Sequence, residues 1–455
     1  MQTIKVNFKE EIGKIKPEHA VNGGPRHSFA NTSDLSGIFK ELSIPYARYH
    51  DIAYPYGSGQ FVDIHCIFPN FDADENDSNS YNFECTDEYI ASTLDTGAKP
   101  FYRLGESIDH TGKNFFINPP SNYGKWARIC EHIIRHYNEG WANGYHYEIE
   151  YWEIWNEPEG VPANDYYPMW TGTKEEFFEL YKITANHLKK CFGDKIKIGG
   201  YSAISLAGCC ERTKDIYEVF PNGKASMKKY YYEYFLQFLE YITSDENYAP
   251  IDFFSFHKYF NGVASILDYK AMVSDIKNNL IKYGLGEIEL ICTEWNVLPT
   301  EKCTNMFCAA NVSAVMIASQ RSPVDMAMYY MLRDPSDYNG VAKKKSLYKP
   351  FYAFKTFSNI YELEKEVLIE GENETVYAIA AKNSDKEALI ITNLGVAKDI
   401  KLKYTNNGIF YKCNVYITDD ENDMGHLFSV GYPHPEGELF LESTKNSIIY
   451  IEFTK

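Results

Sequence analysis

Long apolar segments are missing from this sequence of 455 residues, and no run approaches the roughly 18 apolar residues that a membrane-spanning helix needs. The first residues, MQTIKVNFKEEIGKIK, contain no apolar stretch like that of a secretory signal, which favours a cytoplasmic protein. The ten cysteines form no CxxC pair, and neither Cys209 with Cys210 nor Cys303 with Cys308 has the spacing of a zinc site. We therefore expect reduced cysteines, no membrane partner and no bound metal.

Positive charge is scarce as well: 45 Lys and Arg stand against 63 Asp and Glu, which gives a net charge of −18. A surface of this sign repels phosphate backbones, so we expect no nucleic-acid partner, and it also disfavours heavily sulfated or uronate-rich substrates. The phosphate-binding patterns GxGxxG and GxxxxGK[ST] are absent, so no nucleotide cofactor is predicted. His132 and His136 in HIIRH lack the Glu that a zinc-protease helix carries after its first His.

Aromatic residues are abundant, at 16% of the chain, and 38 of them are Tyr. Disordered chains avoid aromatics, so this composition predicts a packed globule. A Tyr offers a flat apolar face and a polar tip. It therefore suits either a partly hydrated core or a sugar-binding site, and composition alone leaves both open.

The first three quarters of the chain alternate short β-branched or aromatic runs with longer segments of helical periodicity. Eight strands that alternate with helices predict an α/β fold of the (β/α)8 TIM-barrel type. The expected strands are Ala20–Gly24 (the weakest pattern), Ile44–His50, Ala98–Leu104, Glu148–Trp155, Lys195–Tyr201, Ile251–His257, Ile288–Glu294 and Asp325–Met331. The expected helices are Leu35–Leu42, Thr86–Thr96, Tyr123–Asn138, Lys174–Cys191 (with a capping box at Thr173 and Glu176), Lys228–Ile242, Leu267–Tyr283 and Thr304–Ser319.

After about residue 361 the rhythm changes to short strands such as TVYAIAAK and EALIITNL, separated by Asn, Asp and Gly turns. No helical segment interrupts them, which predicts a small C-terminal β-sandwich domain. The N-terminal TIKVNF alternates in the same way and is expected to join that domain. The predicted division is therefore an N-terminal strand segment at 1–17, a catalytic barrel at 18–360 and a β-sandwich at 361–455.

Two Glu residues fall where a barrel of this type carries its chemistry, at the C-terminal ends of strands. Strand four ends EIEYWEIWNEPEG, which places Asn156 and Glu157 at its exit, and strand seven ends IELICTEWN, which places Glu294 there. Glycoside hydrolysis needs such a pair of carboxyl groups on either side of the scissile bond. The neighbouring Trp155 and Trp295 offer flat faces for a sugar ring. The pair predicts a glycosidase.

These two motifs resemble the clan of retaining (β/α)8 glycosidases, and more closely glycoside hydrolase family 39, the β-xylosidase and α-L-iduronidase family. Further similar stretches are ARYHDI, YNFECTDEYIASTLDTGAKPFYRLG, FFSFHKY and YKPFYAFKTF, in the order in which the family has them. The resemblance spans residues 20–359. It implies a carbohydrate substrate, no cofactor and a retaining mechanism with a covalent glycosyl-enzyme intermediate.

By that resemblance Glu157 is the general acid/base and Glu294 the nucleophile. Asn156 would bind the sugar 2-hydroxyl, and Arg48 would hold Glu294 ionised, although an interior ion pair is the alternative for Arg48. Tyr259 could bind the nucleophile and His257 the sugar or the acid/base.

Further substrate-binding positions implied by the resemblance are His50, Trp295 as a ring platform, and Tyr330. The alternative for His50 and His257 is a supporting hydrogen bond, and for Trp295 it is packing. The family usually has Trp where Tyr330 stands, and an apolar turn where YRLGES brings Arg103 and Glu106. The roles of those two residues, and of the long polar segment 56–80 that could wall the cleft, stay open.

The sequence thus predicts a retaining, exo-acting, β-xylosidase-like glycoside hydrolase of carbohydrate metabolism that removes terminal sugars from oligosaccharides. The alternatives are the same mechanism on a β-glucoside, β-galactoside, α-L-arabinoside or exopolysaccharide, and a carbohydrate-binding pseudoenzyme. A homo-oligomer is left open.

Overall fold

The structure is a computed structural model that describes residues 1–26, 34–52, 61–109, 113–159, 169–206, 227–298, 304–333, 340–343 and 346–455. Eight parallel strands form a closed barrel, which confirms the predicted fold class. In chain order they are β2 (Ala20–Asn22), β3 (Tyr46–Tyr49), β4 (Lys99–Leu104), β5 (Tyr151–Ile154), β6 (Lys197–Ala203), β7 (Phe253–Phe260), β8 (Glu289–Val297) and β9 (Met326–Tyr329). Each predicted strand is present, with bounds that differ by a few residues.

Helices follow the strands around the outside of this barrel. They span Ser36–Glu41, Ile64–Ile67, Glu84–Leu94, Tyr123–Glu139, Lys174–Phe192, Met227–Thr243, Val263–Lys282, Met306–Gln320 and Lys349–Tyr361, with 3-10 turns at Ser78–Ser80, Trp141–Asn143 and Gly193–Lys195. The predicted capping box is present: the Glu176 amide donates to Thr173 Oγ1 at 3.2 Å, and the Thr173 amide donates to the Glu176 carboxylate at 2.7 Å.

The inside of the barrel changes from apolar to polar along the strands. The lower layer consists of Ala20, Phe101, Tyr151, Phe253, Ile291, Met326 and Met328. Side chains two residues apart in a strand point to the same side. The next inward positions are therefore Asn22, Arg103, Glu153, Ser255 and Thr293, which are all buried. A polar layer of this kind is costly unless it is hydrogen-bonded. It lies directly beneath the strand ends that hold the predicted site residues.

The remaining strands of the described residues are β1 (Gln2–Lys14), β10 (Ala342–Lys343), β11 (Ser346–Leu347), β12 (Lys365–Glu370), β13 (Val376–Lys382), β14 (Lys386–Asn393), β15 (Lys398–Thr405), β16 (Lys412–Thr418), β17 (Gly425–Gly431), β18 (Glu436–Ser443) and β19 (Ser447–Thr454). Of these, β10 and β11 form a separate hairpin, and the other nine form one sheet in the order β17-β16-β19-β14-β13-β12-β1-β15-β18. The β-rich C-terminal region is thus confirmed. Its strands are hydrogen-bonded into a single mixed sheet rather than divided between two.

The N-terminal strand β1 lies inside this sheet, as TIKVNF predicted. It pairs with β12 in antiparallel and with β15 in parallel orientation. The central strands bury both faces: Ala378 and Leu389 contribute to the core of the sheet itself, while Tyr377 and Ile390 pack against the barrel side. Helix Met306–Gln320 lies between sheet and barrel, where Ser313 Oγ lies 2.6 Å from Thr392 Oγ1. Because this helix meets protein on several sides, it is buried almost throughout.

None of the helices in the described ranges combines the length and the apolar character needed to cross a bilayer. Seven cysteines lie in those ranges and are free thiols: Cys66, Cys85, Cys130, Cys191, Cys292, Cys308 and Cys413. Cys209, Cys210 and Cys303 lie outside the described residues, as do positions 56–60 of the polar segment.

Candidate active site

The two predicted carboxylates meet at the mouth of the barrel. Glu157 follows β5, Glu294 lies in β8, and both side chains are buried. His257 Nδ1 lies 2.7 Å from Glu157 Oε1 and 3.8 Å from Glu294 Oε2. Because both oxygens lie this close to one nitrogen, they can be at most about 6.5 Å apart. That limit falls at the lower edge of the roughly 6.5–9.5 Å range of inverting glycosidases and includes the roughly 5–5.5 Å of retaining ones.

A β-bulge turns Glu294 toward the centre of the barrel. Here β8 has one extra residue relative to each neighbouring strand. Against β7, Phe256 pairs with Cys292 but the next residue, His257, pairs with Glu294. The register of β8 against β9 shifts by one residue in the same region. An extra residue lets two consecutive side chains face the same side. Thr293 and Glu294 both use this freedom, since Thr293 Oγ1 lies 3.4 Å from Ser202 Oγ inside the barrel.

The backbone that carries Glu157 leaves β5 in an unusual conformation. Trp155 has φ +70° and Glu157 has φ +46°, in the left-handed region that side chains rarely adopt. Hydrogen bonds from the Trp155 amide to Leu104 O (2.7 Å) and from the Glu157 amide to Ser202 O (3.1 Å) hold this turn to the two neighbouring strands. Gly105 is required here, because a Cβ at this position would lie 3.0 Å from the Trp155 ring.

Arg48, fully buried on β3, binds five side chains at the centre of the site. Its guanidinium donates to Glu153 Oε2 at 2.7 Å and to Glu294 Oε2 at 3.3 Å. It also donates to Asn22 (3.0 Å), Asn156 (2.8 Å) and Ser202 (2.9 Å). Burial by itself would lower the pKa of Arg48, but the charges of Glu153 and Glu294 raise it, so Arg48 is a fixed cation.

The pKa of Glu294 lies above its usual value, although several neighbouring groups oppose this shift. Burial raises the pKa of Glu294, and the nearby charge of Glu157 raises it further. His257, Arg48 and the Tyr259 hydroxyl, which donates to Glu294 Oε1, lower it. Arg48 and Tyr259 donate to different oxygens of the carboxylate. Together they therefore fix its orientation, and both favour its ionised form.

Three further predicted residues lie around this centre. Asn156 accepts from Arg48 through Oδ1, while its buried Nδ2 has no hydrogen-bond partner among the described residues and can donate to a ligand. His50 is buried beside the site, with Nε2 3.1 Å from Asp51 Oδ1. Burial holds the pKa of His50 well below its usual range, so the ring is neutral. Tyr330 donates to Asp51 Oδ2 at 2.8 Å.

Trp295 faces away from the centre. Its ring packs edge-on against Tyr329, at a centroid distance of 4.9 Å, and lies near Phe260; only 1% of the residue is exposed. This environment favours the packing alternative over a sugar platform. Tryptophan side chains at strand ends serve either purpose, so sequence alone left the two open.

The polar segment after strand two packs on the exit of β4. Asp63 accepts from Arg103 and from the Ser107 hydroxyl and amide, both at 2.8 Å, and His65 Nδ1 contacts Glu106. Arg103 is therefore a buried ion-pair partner. Burial raises the pKa of Glu106 to about 7.

Two groups of side chains in the described ranges have metal-ligating atoms within 4.8 Å of one another: Asp63, His65 and Glu106, and Glu131, His187 and Cys191. In the first group Arg103 and Ser107 already bind both Asp63 oxygens. In the second, Arg135 donates to Glu131 at 2.7 Å and Glu131 Oε2 lies 2.6 Å from His187 Nε2. Both groups thus satisfy their oxygens with protein donors.

Glu153, Asn22 and Ser202 belong to the site but were not predicted from the sequence. For Glu153 a signal existed: YWEIW alternates, so Glu153 shares the inward side with Tyr151. Asn22 lay in the strand with the weakest pattern. Ser202 lies within a register shift in β6, between Gly200 and Ala203, that no residue pattern predicts.

The chain is similar to known proteins in sequence and in fold. The family model of the glycosyl hydrolases family 39 matches residues 2–397. A β-xylosidase of Caldicellulosiruptor saccharolyticus is 25% identical over 432 residues, covering 86% of this chain and 79% of the relative. Among solved structures, a glucosidase from Croceicoccus marinus superposes with a TM-score of 0.79 at 20% identity, covering 100% of this chain and 99% of the other. A monomeric β-xylosidase from Caulobacter crescentus gives 0.70 at 15% identity with the same coverage. These two structures support the fold.

Proposed function

Because the chain belongs to the glycosyl hydrolases family 39 and is therefore a glycoside hydrolase, we propose that it works with net retention, with Glu294 as nucleophile and Glu157 as acid/base. The observation that carries this proposal is the approach of both carboxylates to His257 Nδ1, at 2.7 and 3.8 Å. That closeness suits direct attack by one carboxylate better than a water held between the two.

The reaction would then take two displacements. In the first, a Glu294 oxygen forms a bond to the anomeric carbon while the glycosidic bond breaks, and Glu157 gives its proton to the departing oxygen. In the second, Glu157 takes a proton from water, the water oxygen bonds to the anomeric carbon, and Glu294 leaves as a carboxylate. Two inversions give net retention.

The surrounding contacts support these assignments. Arg48 and Tyr259 keep Glu294 charged and oriented until it attacks. His257 holds the Glu157 carboxyl group on the side that faces Glu294. The free Nδ2 of Asn156 is suited to the sugar 2-hydroxyl, a contact that strengthens at the transition state. His50 and Tyr330 would bind the other hydroxyls of the sugar. For Trp295 we propose packing behind the site.

For the substrate we propose a terminal β-xyloside removed by exo action. The curated relative described above is named a β-xylosidase. The segment 61–80 packs against the exit of β4, on one side of the barrel mouth, where it could close the pocket beyond one sugar. The other glycosides named above, and an inactive carbohydrate-binding protein, become outcomes of the test. A cytoplasmic location and the domain bounds 1–17, 18–360 and 361–455 likewise stay proposals, and the oligomeric state stays open.

A panel of chromogenic β-xyloside, β-glucoside, β-galactoside and α-L-arabinoside substrates tests the proposal, with the anomer of the first product read by NMR. We expect the fastest turnover on the xyloside, a β-product, and at least a ~10³-fold loss in Glu294→Ala. In Glu157→Ala we expect slow turnover that azide partly restores. Glu289→Gln is a control on the same strand, at its opposite end, where Glu289 pairs with Lys197. An α-product, or full activity in Glu294→Ala, would refute the mechanism.

A further inference from the structure

A second carboxyl group lies two residues beyond the proposed acid/base. Glu159 is fully buried. Its Oε1 accepts the backbone N–H of Ile204 at 2.7 Å, and its Oε2 has no hydrogen-bond partner among the described residues. A buried polar group without a full set of hydrogen bonds is costly, so its presence at this position calls for an explanation.

The bond to Ile204 ties the turn that carries Glu157 to the end of β6. That turn has a second attachment to the same place, the hydrogen bond from the Glu157 amide to Ser202 O. Glu157 itself sits at φ +46°, a conformation that persists only when neighbouring contacts enforce it. Two anchors on β6, one at Glu157 and one at Glu159, restrain the backbone between them.

We propose that Glu159 is a positioning residue that fixes Glu157 for proton transfer by anchoring its turn to the Ile204 amide. This inference rests on the proposed function of Glu157. A displacement of about 1 Å in a reacting group can cost about a hundredfold in rate. Loss of the anchor should therefore impair proton transfer while leaving attack by Glu294 largely intact.

The anchor is suited to this place because it carries no charge. Burial holds the pKa of Glu159 well above its usual range, and the negative charge of Glu157 raises it further. A protonated Glu159 still offers Oε1 as an acceptor, so the bond to Ile204 does not require ionisation. A glutamine at this position would offer the same acceptor and also be neutral.

Two variants of nearly equal size differ in whether they keep this acceptor. Glu159→Gln keeps the acceptor, whereas Glu159→Met removes it and leaves the Ile204 N–H unpaired. The matched control is Glu387→Met in β14. Glu387 is also fully buried and accepts a backbone N–H (from Asn407, at 3.2 Å), and its Oε2 has no partner in the part of the chain that the structure describes, but it lies in the C-terminal sheet.

The experiment compares kcat/KM on a glycoside with a poor leaving group, which needs acid assistance, and on an activated aryl glycoside, which does not. For Glu159→Met we expect a loss of about 10- to 100-fold on the poor leaving group and less than about 3-fold on the activated one. Azide should raise its kcat on the activated substrate. Glu159→Gln should stay within about twofold of the wild type on both. Glu387→Met should lower the unfolding midpoint without changing the ratio of the two substrates.

Three results would overturn the inference: equal losses on both substrates in Glu159→Met, no loss on either, or a Glu159→Gln variant as impaired as Glu159→Met. Unfolding midpoints measured on all variants show whether an equal loss comes from misfolding. Failure of the proposed function looks different, because the wild type would then hydrolyse neither substrate, or Glu157→Ala would show no dependence on the leaving group.

Discussion

Removal of Arg48 is expected to have a large effect on stability. Its guanidinium is fully buried and binds five side chains, of which Glu153 and Glu294 are carboxylates. In Arg48→Met the methionine fills much of the same space but donates no hydrogen bond. Glu153 is also fully buried and Arg48 is its ion-pair partner, so the variant leaves a buried carboxylate without a countercharge.

Breaking a buried ion pair in this way costs about 3–5 kcal/mol, whereas removing both partners together is often nearly neutral. Arg48→Met should therefore lower the free energy of unfolding by about 3–5 kcal/mol, a large part of the roughly 5–15 kcal/mol typical of proteins. The double variant Arg48→Met/Glu153→Gln should recover most of that loss. Urea unfolding followed by circular dichroism measures both.

The control is Arg26→Met, since Arg26 is half-exposed and lies 3.6 Å from Asp34 and 3.7 Å from Glu88. Exposed pairs contribute about 1 kcal/mol at most. The double variant should regain stability but not activity, because Asn156 and Glu294 still lack their donor. If Arg48→Met costs no more than Arg26→Met, or if the double variant is as unstable as the single one, the ion pair does not organise the barrel interior as described.

Two further outcomes are expected. Tyr259→Phe removes the donor to Glu294 Oε1. The pKa of Glu294 should then rise and move the acidic limb of the kcat/KM profile to higher pH. The value of kcat/KM should fall about 10- to 150-fold, which corresponds to about 1.5–3 kcal/mol for a hydrogen bond to a charged group. An unmoved limb would contradict this role. Glu18 is fully buried with both oxygens unpartnered among the described residues, and burial raises its pKa to about 8. The folded state therefore holds this proton more tightly than the unfolded one, so stability is lost as pH rises from about 4.5 to 8. In urea unfolding at pH 5 and pH 8.5, Glu18→Gln should lose less stability than the wild type, and equal losses would exclude Glu18 as the cause.

The barrel could be predicted because its signals are local. Alternating strand and helix patterns give eight βα units, and a closed barrel follows from that count. The C-terminal region was harder to predict because its strands are short and similar, so sequence does not say which strand pairs with which. The parallel pairing of Lys5 with Lys403 joins residues almost four hundred positions apart, and no local pattern encodes it.

The candidate site also contains residues that local sequence patterns predict and residues that they do not. Glu157, Glu294, Asn156 and Arg48 stand in motifs at strand ends, and the structure brings all four together. Ser202 and Glu159 were missed because their importance depends on backbone partners from other strands, at Glu157 and Ile204. Such contacts are visible only once the chain is folded.

The position of β1 has consequences for the synthesis of this chain and for expressing parts of it separately. Residues 2–14 are synthesised before the barrel, yet their partners in β12 and β15 begin only at residues 365 and 398. The barrel strands are therefore synthesised while β1 still lacks its partners, because β12 and β15 lie in the last fifth of the chain. A separately produced 361–455 fragment would expose the two strand edges that β1 normally joins. Such edges pair with other copies and aggregate, so the two regions are best expressed as one chain.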